Sequence, residues 1–289
     1  MRKAFLQLHL AILLAGITGV MGRLISLNEG LLVWYRMFFT IIVLWVLYFF
    51  SKSESRSLTF PFFPYLTGGL VSLHWVFFYG SIKYANISIG LVCFSTVGFF
   101  TALLDPLINN RPFDSKEIVL GLLVILGIYL IFHFESHHQV GIILGVISSF
   151  LATLFTVINK RLLNVYSSKE LSRFELTGGW LVLSLLLPFY LMYFPSTSLL
   201  PTYRDILWLL ILSLLCTVVA FHLSLNALKK ISPFTVNLSY NLEPLYGIIL
   251  AFIFFREDRE LDKGFYIGFT LILLSVLLQT ISIWDKKTP

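Results

Sequence analysis

Charge is what this sequence has least of. Lysine, arginine, aspartate and glutamate make up 12% of its 289 residues, about half the share in a typical soluble domain. Hydrophobic residues make up 57%, and the mean hydropathy is +0.87. This balance excludes a water-soluble fold. Cysteine is nearly absent: Cys93 and Cys216 both lie in apolar runs without CxxC spacing, which leaves no disulfide framework and no cysteine zinc site. No HExxH, GxSxG, P-loop or paired-aspartate pattern occurs. The alternative reading, a membrane enzyme acting on lipid-linked substrates, therefore has no motif behind it. No metal and no cofactor is expected. Basic residues exceed acidic ones, 21 to 15, but they sit at the ends of apolar segments, where they set topology. Nucleic acid is not an expected partner; membrane lipid is.

The apolar runs repeat along the whole chain. A membrane helix needs about 20 mostly apolar residues, and such runs fall at roughly 4–23, 31–50, 63–82, 88–108, 117–134, 140–159, 174–194, 205–227, 233–254 and 264–284. Short polar breaks separate them, among them Ser51–Ser57, Arg111-Pro112, Glu135–Gln139 and Pro195–Pro201. No break is long enough for a soluble domain. The expected fold is an all-α integral membrane protein of about ten transmembrane helices, with an uncleaved first helix after Arg2 and Lys3. Counting bases in alternate loops gives fourteen on the side of the N terminus, from Arg2 and Lys3 to Lys286 and Lys287. The other side has six: Arg23, Lys83, Arg204, Arg256, Arg259 and Lys263. The excess places both termini in the cytoplasm of an inner (plasma) membrane protein.

Sliding the chain against itself by 147 residues brings Lys83 onto Lys230, Lys116 onto Lys263 and Gly121 onto Gly268. This divides it into two five-helix repeats, 4–134 and 140–284. Because five is odd, the second copy enters the membrane inverted, a design common among secondary transporters, with a site between the halves near mid-membrane.

The order of several loose motifs resembles the EamA-type proteins of the drug/metabolite transporter superfamily. A short polar turn joins the third and fourth helices of each half, in YGSIKYANISIGL (Tyr79–Leu91) and LNALKKISPFTVNL (Leu225–Leu238). The second half adds a helix proline, an acidic turn and a glycine-led last helix in NLEPLYGIILAFIFFRED and KGFYIG. In the first half Val97 stands where the helix proline is expected and Asn110 where the acidic turn residue is expected. The resemblance implies export of small metabolites such as amino acids, linked to protons or exchange. It also implies a cavity lined by the first, third, fourth, sixth, eighth and ninth helices.

Polar residues inside apolar helices mark a pathway or site. Glu243 is the eleventh residue of a segment starting at Pro233, about halfway across at 1.5 Å per residue. Pro244 follows it and frees a backbone carbonyl at a similar depth. Glu243 is the candidate for proton coupling. Asn237, Tyr240 and Asn241 recur at helical spacing with Pro244 and are candidate substrate-binding residues. His74, Trp75 and Tyr79 on the third segment and His222 and Asn226 on the eighth join them, Trp75 and His222 being mates in the 147-residue offset. Ser95 and Thr96 complete the set, Thr96 as the mate of Glu243. Arg36 and Glu175 read as interface anchors near opposite membrane faces, and Asn159, His9 and Asp105 as capping or snorkelling residues. The spacings Gly141/Gly145 and Gly264/Gly268 read as packing within one chain, in a monomer or weak dimer. A non-transporting scaffold would need no polar mid-membrane stripe. Reporters fused at Met1 and at Pro289 are expected on the cytoplasmic side; finding the two on opposite sides contradicts an even number of spans.

Overall fold

A computed structural model describes residues 2–50, 61–134, 136–196 and 198–285. The break at Ser51–Ser57, Glu135, Lys286, Lys287 and both terminal residues lie outside them. The described chain forms helices α1 (Arg2–Leu24), α2 (Glu29–Phe50), α3 (Phe62–Tyr84), α4 (Ile87–Asn109), α5 (Ser115–Phe134), α6 (Gln139–Leu162), α7 (Ser168–Tyr193), α8 (Tyr203–Leu228), α9 (Pro233–Phe255) and α10 (Lys263–Asp285). Eight are long and apolar enough to cross a membrane, and α10 holds a shorter apolar run over Lys263–Ser275. The remaining one, α3, carries Gly68, Gly69, Ser72, His74 and Ser81 on buried positions because it packs between α6 and α7. Large apolar side chains such as Phe49, Phe50, Leu185 and Met192 face outward, as lipid contact requires.

Neighbour relations display the repeat. α3 packs on α6 and α7, and α8 packs on α1 and α2; α4 lies against α6, and α9 against α1; α2 meets α7 and α5 meets α10. Exchanging the halves leaves this pattern unchanged. The fold is thus two inverted five-helix repeats.

The spacing between equivalent helices is not constant. Helix starts differ by 137 for α1 and α6, 139 for α2 and α7, 141 for α3 and α8, 146 for α4 and α9, and 148 for α5 and α10. A single ungapped offset of 147 therefore misassigns mates. Arg36 and Glu175, both seven residues beyond their helix starts, are equivalent. Trp75 matches the region Cys216–Val219, not His222, because the α3/α8 difference is 141 at the starts and 144 at the ends.

Both α4 and α9 are broken midway. α4 runs over Ile87–Phe94 and Val97–Asn109, α9 over Pro233–Tyr240 and Glu243–Phe255, and all four boundaries differ by 146. The mate of Glu243 is thus Val97 rather than Thr96. Each begins with a side-chain cap, Asn86 on the amide of Ile89 and Ser232 on that of Thr235. Each ends in a left-handed residue, Asn110 (φ 53°) or Arg256 (φ 57°). The two helices break at equivalent places although only α9 has a proline at its break, Pro244. In α4 the hydroxyl of Ser149 on α6 donates to the carbonyls of Cys93 (3.1 Å) and Phe94 (2.8 Å), and Thr96 Oγ1 donates to Cys93 at 2.9 Å. Side chains thus satisfy carbonyls that the lipid cannot.

Glycines set the closest crossings. A Cβ at Gly127 of α5 would lie 2.7 Å from the carbonyl oxygen of Gly268 on α10, and Gly141 and Gly145 of α6 face Ala85, Ser81 and Cys93. Gly141, Gly145 and Gly268 thus all pack within the chain. Gly127→Ala is expected to destabilise the protein by about 1–3 kcal/mol, since either backbone must shift. Unfolding in detergent checks this; native stability would contradict the close crossing.

Candidate substrate cavity

Between the halves lies a cavity of about 110 Å³. Its walls come from α1 (Ala15, Thr18), α2 (Arg36), α3 (His74, Trp75, Phe78), α4 (Phe94), α6 (Ala152, Phe155, Thr156, Asn159), α8 (Cys216, Ala220, Phe221, Ser224, Leu225, Leu228) and α9 (Val236, Asn237, Tyr240, Glu243). The lining on α6, α8 and α9 reaches from mid-helix to the ends at the face where α1 begins, here the N-terminal face. A wider apolar groove of about 530 Å³, between Leu13, Ile17, Leu250 and Phe254, lies on the flank of α1 and α9 beside outward-facing side chains. It lacks the convergent polar groups of the central cavity.

Arg36 dominates the polar wall, and the expectation of an interface anchor was wrong. As the eighth residue of α2 it lies about 10 Å along the helix, too deep to reach water outside, and it is only 3% exposed. Its Nε donates to Thr217 Oγ1 (2.8 Å) and its Nη1 to the Tyr79 hydroxyl (2.9 Å), with Cys216 O at 3.4 Å from Nη2. The guanidinium lies 3.7 Å from the centre of the Trp75 ring. A π-helical turn at Leu214–Val219 in α8 presents Thr217 and the Cys216 carbonyl, as such turns often do at functional sites.

Glu243 begins the second piece of α9, is 4% exposed and lines the same cavity. Among the described residues it has neither a hydrogen-bond nor an ion-pair partner. Asn237, Tyr240 and Glu243 follow one another at intervals of three along this wall. Asn237 donates to Thr101 on α4 at 2.8 Å, and Tyr240 pairs with Ser224 on α8. His74 and Trp75 also line the cavity as expected. The His74 Nδ1 is held by the carbonyl (3.0 Å) and hydroxyl (2.8 Å) of Ser148, and its ring packs among Phe78, Phe94 and Phe155. Tyr79 is fully buried and acts on the cavity through Arg36.

Five expected residues stand elsewhere. Ser95 and Thr96 occupy the break of α4 and are buried behind Phe94, Thr96 bonded to its own helix. Asn241 sits in the break of α9, turned toward Gly98 of α4, because the break rotates it away from Asn237 and Tyr240. His222 and Asn226 bond each other at 3.0 Å. They fall off the stripe of Phe221, Ser224, Leu225 and Leu228 that faces the cavity, and His222 meets Ser168 and Lys169 at the start of α7. Three residues expected as caps or anchors near segment ends, Asn159, Glu175 and Asp105, are buried. Asn159 lines the cavity and donates to the fully buried Glu175 at 3.2 Å. His9 is exposed.

The far face is closed by polar ties. The Glu257 carboxylate accepts from the amides of Ile87 (3.0 Å) and Ser88 (2.9 Å) at the start of α4 and from the Ser88 hydroxyl (2.6 Å), and it pairs with Arg23 at the end of α1. Lys83 donates to the carbonyls of Ile25 and Leu27, and Asp205 accepts from the Ser26 amide and hydroxyl at 2.7 Å each. At the N-terminal face Arg111, in the loop after α4, pairs with Asp105 (2.8 Å) and Glu117 (2.6 Å). Burial opposes its charge, but the two carboxylates outweigh that and raise its pKa.

Ten helices among the described residues, in inverted repeats around a central cavity, define a multi-pass membrane protein. The model of the EamA-like transporter family matches residues 2–133 and again 139–281, and the chain belongs to that family. A curated relative from Clostridium kluyveri, named an uncharacterized transporter, is 24% identical over 200 residues, covering 66% of this chain. The chain matches 63% of that relative's length. A solved crystal structure with 15% sequence identity superposes with a TM-score of 0.72 over 97% of this chain and 98% of its own, which shows the shared fold. The family and the relative are both named as transporters.

Proposed function

We propose that this protein exports small organic metabolites, such as amino acids, across the inner membrane by alternating access, with proton coupling at Glu243. The observation that carries the reading is a cavity between the halves with Arg36, Asn237, Tyr240 and Glu243 set in an otherwise largely apolar wall, reaching toward the N-terminal face, with polar ties across the other. With both termini in the cytoplasm, as the loop charges favour, the cavity loads from the cytoplasm. The halves, 4–134 and 140–284, then rock against each other. Glu257 leaves the start of α4, and the cavity opens outward. His74, Trp75, Asn237 and Tyr240 contact the cargo.

Glu243 suits coupling because it is a buried carboxylate in the cavity wall that no hydrogen bond or ion pair among the described residues holds in one state. It also stands at a helix break, where hydration changes as the halves move. A proton drives the cycle only if it binds the two states with different affinity. Glutamine keeps the size and cannot titrate. Pooled metabolites in proteoliposomes, read by mass spectrometry, identify the cargo. Glu243→Gln is expected to bind it, to retain exchange and to lose accumulation driven by a pH gradient. Undiminished gradient-driven accumulation in the variant contradicts the assignment of coupling to Glu243.

A further inference from the structure

Arg36 presents an unusual electrostatic situation. It is a permanent cation, buried in the membrane-spanning core, and among the described residues no carboxylate pairs with it. Its three protein acceptors are a threonine hydroxyl, a tyrosine hydroxyl and one long contact to a carbonyl, all neutral. A guanidinium carries five N–H donors, so two remain. A buried charge left without a counterion is strongly unfavourable. The one acid in the cavity wall, Glu243, acts on Arg36 only through the field between them, with no ion pair or hydrogen bond, and on the reading above Glu243 is neutral for part of the cycle.

We propose that Arg36 is the carboxylate site of the transported molecule. This rests on the transporter reading and deepens it: the cargo is an organic carboxylate with a flat apolar body. Thr217 and Tyr79 fix the guanidinium from two sides and Trp75 lies under its face, so its plane is set before the ligand arrives. A planar fork held in this way matches the two oxygens of a carboxylate. The rest of the wall suits an aromatic or branched apolar group: Phe78, Phe94, Phe155 and Phe221 surround the cavity. The mate of Arg36 in the other half, Glu175, is fully buried against Asn159 and lies outside the cavity wall. The cavity is therefore charged asymmetrically, with its fixed cation on α2.

The test is equilibrium binding to the full chain in lipid nanodiscs, with two matched pairs of probes: L-phenylalanine against L-phenylalaninamide, and 3-phenylpropionate against 3-phenylpropionamide. Each amide keeps the shape and removes the negative charge. The acid should bind about tenfold to a hundredfold more tightly than its amide in at least one pair, and Arg36→Gln should abolish that preference. The proposal is overturned if both amides match their acids, if neither acid binds at millimolar concentration, or if folded Arg36→Gln keeps the preference. Should Arg36→Gln fail to fold, Tyr79→Phe, which removes one of the two hydroxyls that fix the guanidinium, takes its place and should weaken the preference for the acid; an unchanged preference then overturns the proposal. Binding of acids without any flux in proteoliposomes would defeat the transporter reading and leave the site standing. Flux confined to compounds without a carboxylate would do the reverse.

Discussion

A guanidinium that cannot leave the membrane interior governs the architecture around it. Arg36 lies too deep on α2 to snorkel, so other helices must satisfy it. α3 supplies Tyr79 and Trp75, and α8 supplies Thr217 and the Cys216 carbonyl. The hydroxyls of Thr40 and Ser213 both donate to the Arg36 carbonyl, at 2.8 and 2.9 Å. Helices from both halves are thereby joined at one point, and the π turn in α8 presents that carbonyl and hydroxyl to the guanidinium. The neutral character of all these partners leaves the charge itself to be met from the cavity.

Backbone satisfaction explains the second organising feature. A membrane helix can break only where protein groups take over its freed carbonyls, and α4 and α9 do so by different means at equivalent places. Pro244 removes a donor in α9; in α4, Ser149 reaches across from α6. Breaking both helices beside the cavity brings Phe94 and Glu243 to its wall from opposite halves.

Much of the fold was legible because lipid imposes length and polarity on every span. The segment expected at 88–108 is Ile87–Asn109, and that at 233–254 is Pro233–Phe255. Glu243, Asn237, Tyr240, His74 and Trp75 were legible for the same reason: a polar group in an apolar run must face inward. What failed was rotation and register. A one-residue error in the α4/α9 offset made Thr96 the mate of Glu243, and the break in α9 turned Asn241 off the shared face. The drift of the offset from 137 to 148 hid the true partner of Trp75. Arg36 was misplaced through its closeness to a helix end, although a lone base within GLLVWYRMFFTII already carried the signal. Glu257 was visible only as part of an acidic turn. Its role depends on the amide groups of Ile87 and Ser88, 170 and 169 residues earlier, which no local pattern records.

The arrangement on the far face makes alternating access testable without knowing the cargo. Glu257 holds the loop between α9 and α10 to the start of α4, and transport requires that contact to open. The most direct measurement is the distance distribution between spin labels at Tyr84 and Glu260, both exposed on that face, with the chain in nanodiscs at acidic and neutral pH. Two populations are expected, one matching the closed face and one longer, with a ratio that changes with pH in the native protein and not in Glu243→Gln. A single short distance under every condition would contradict alternating access through this face.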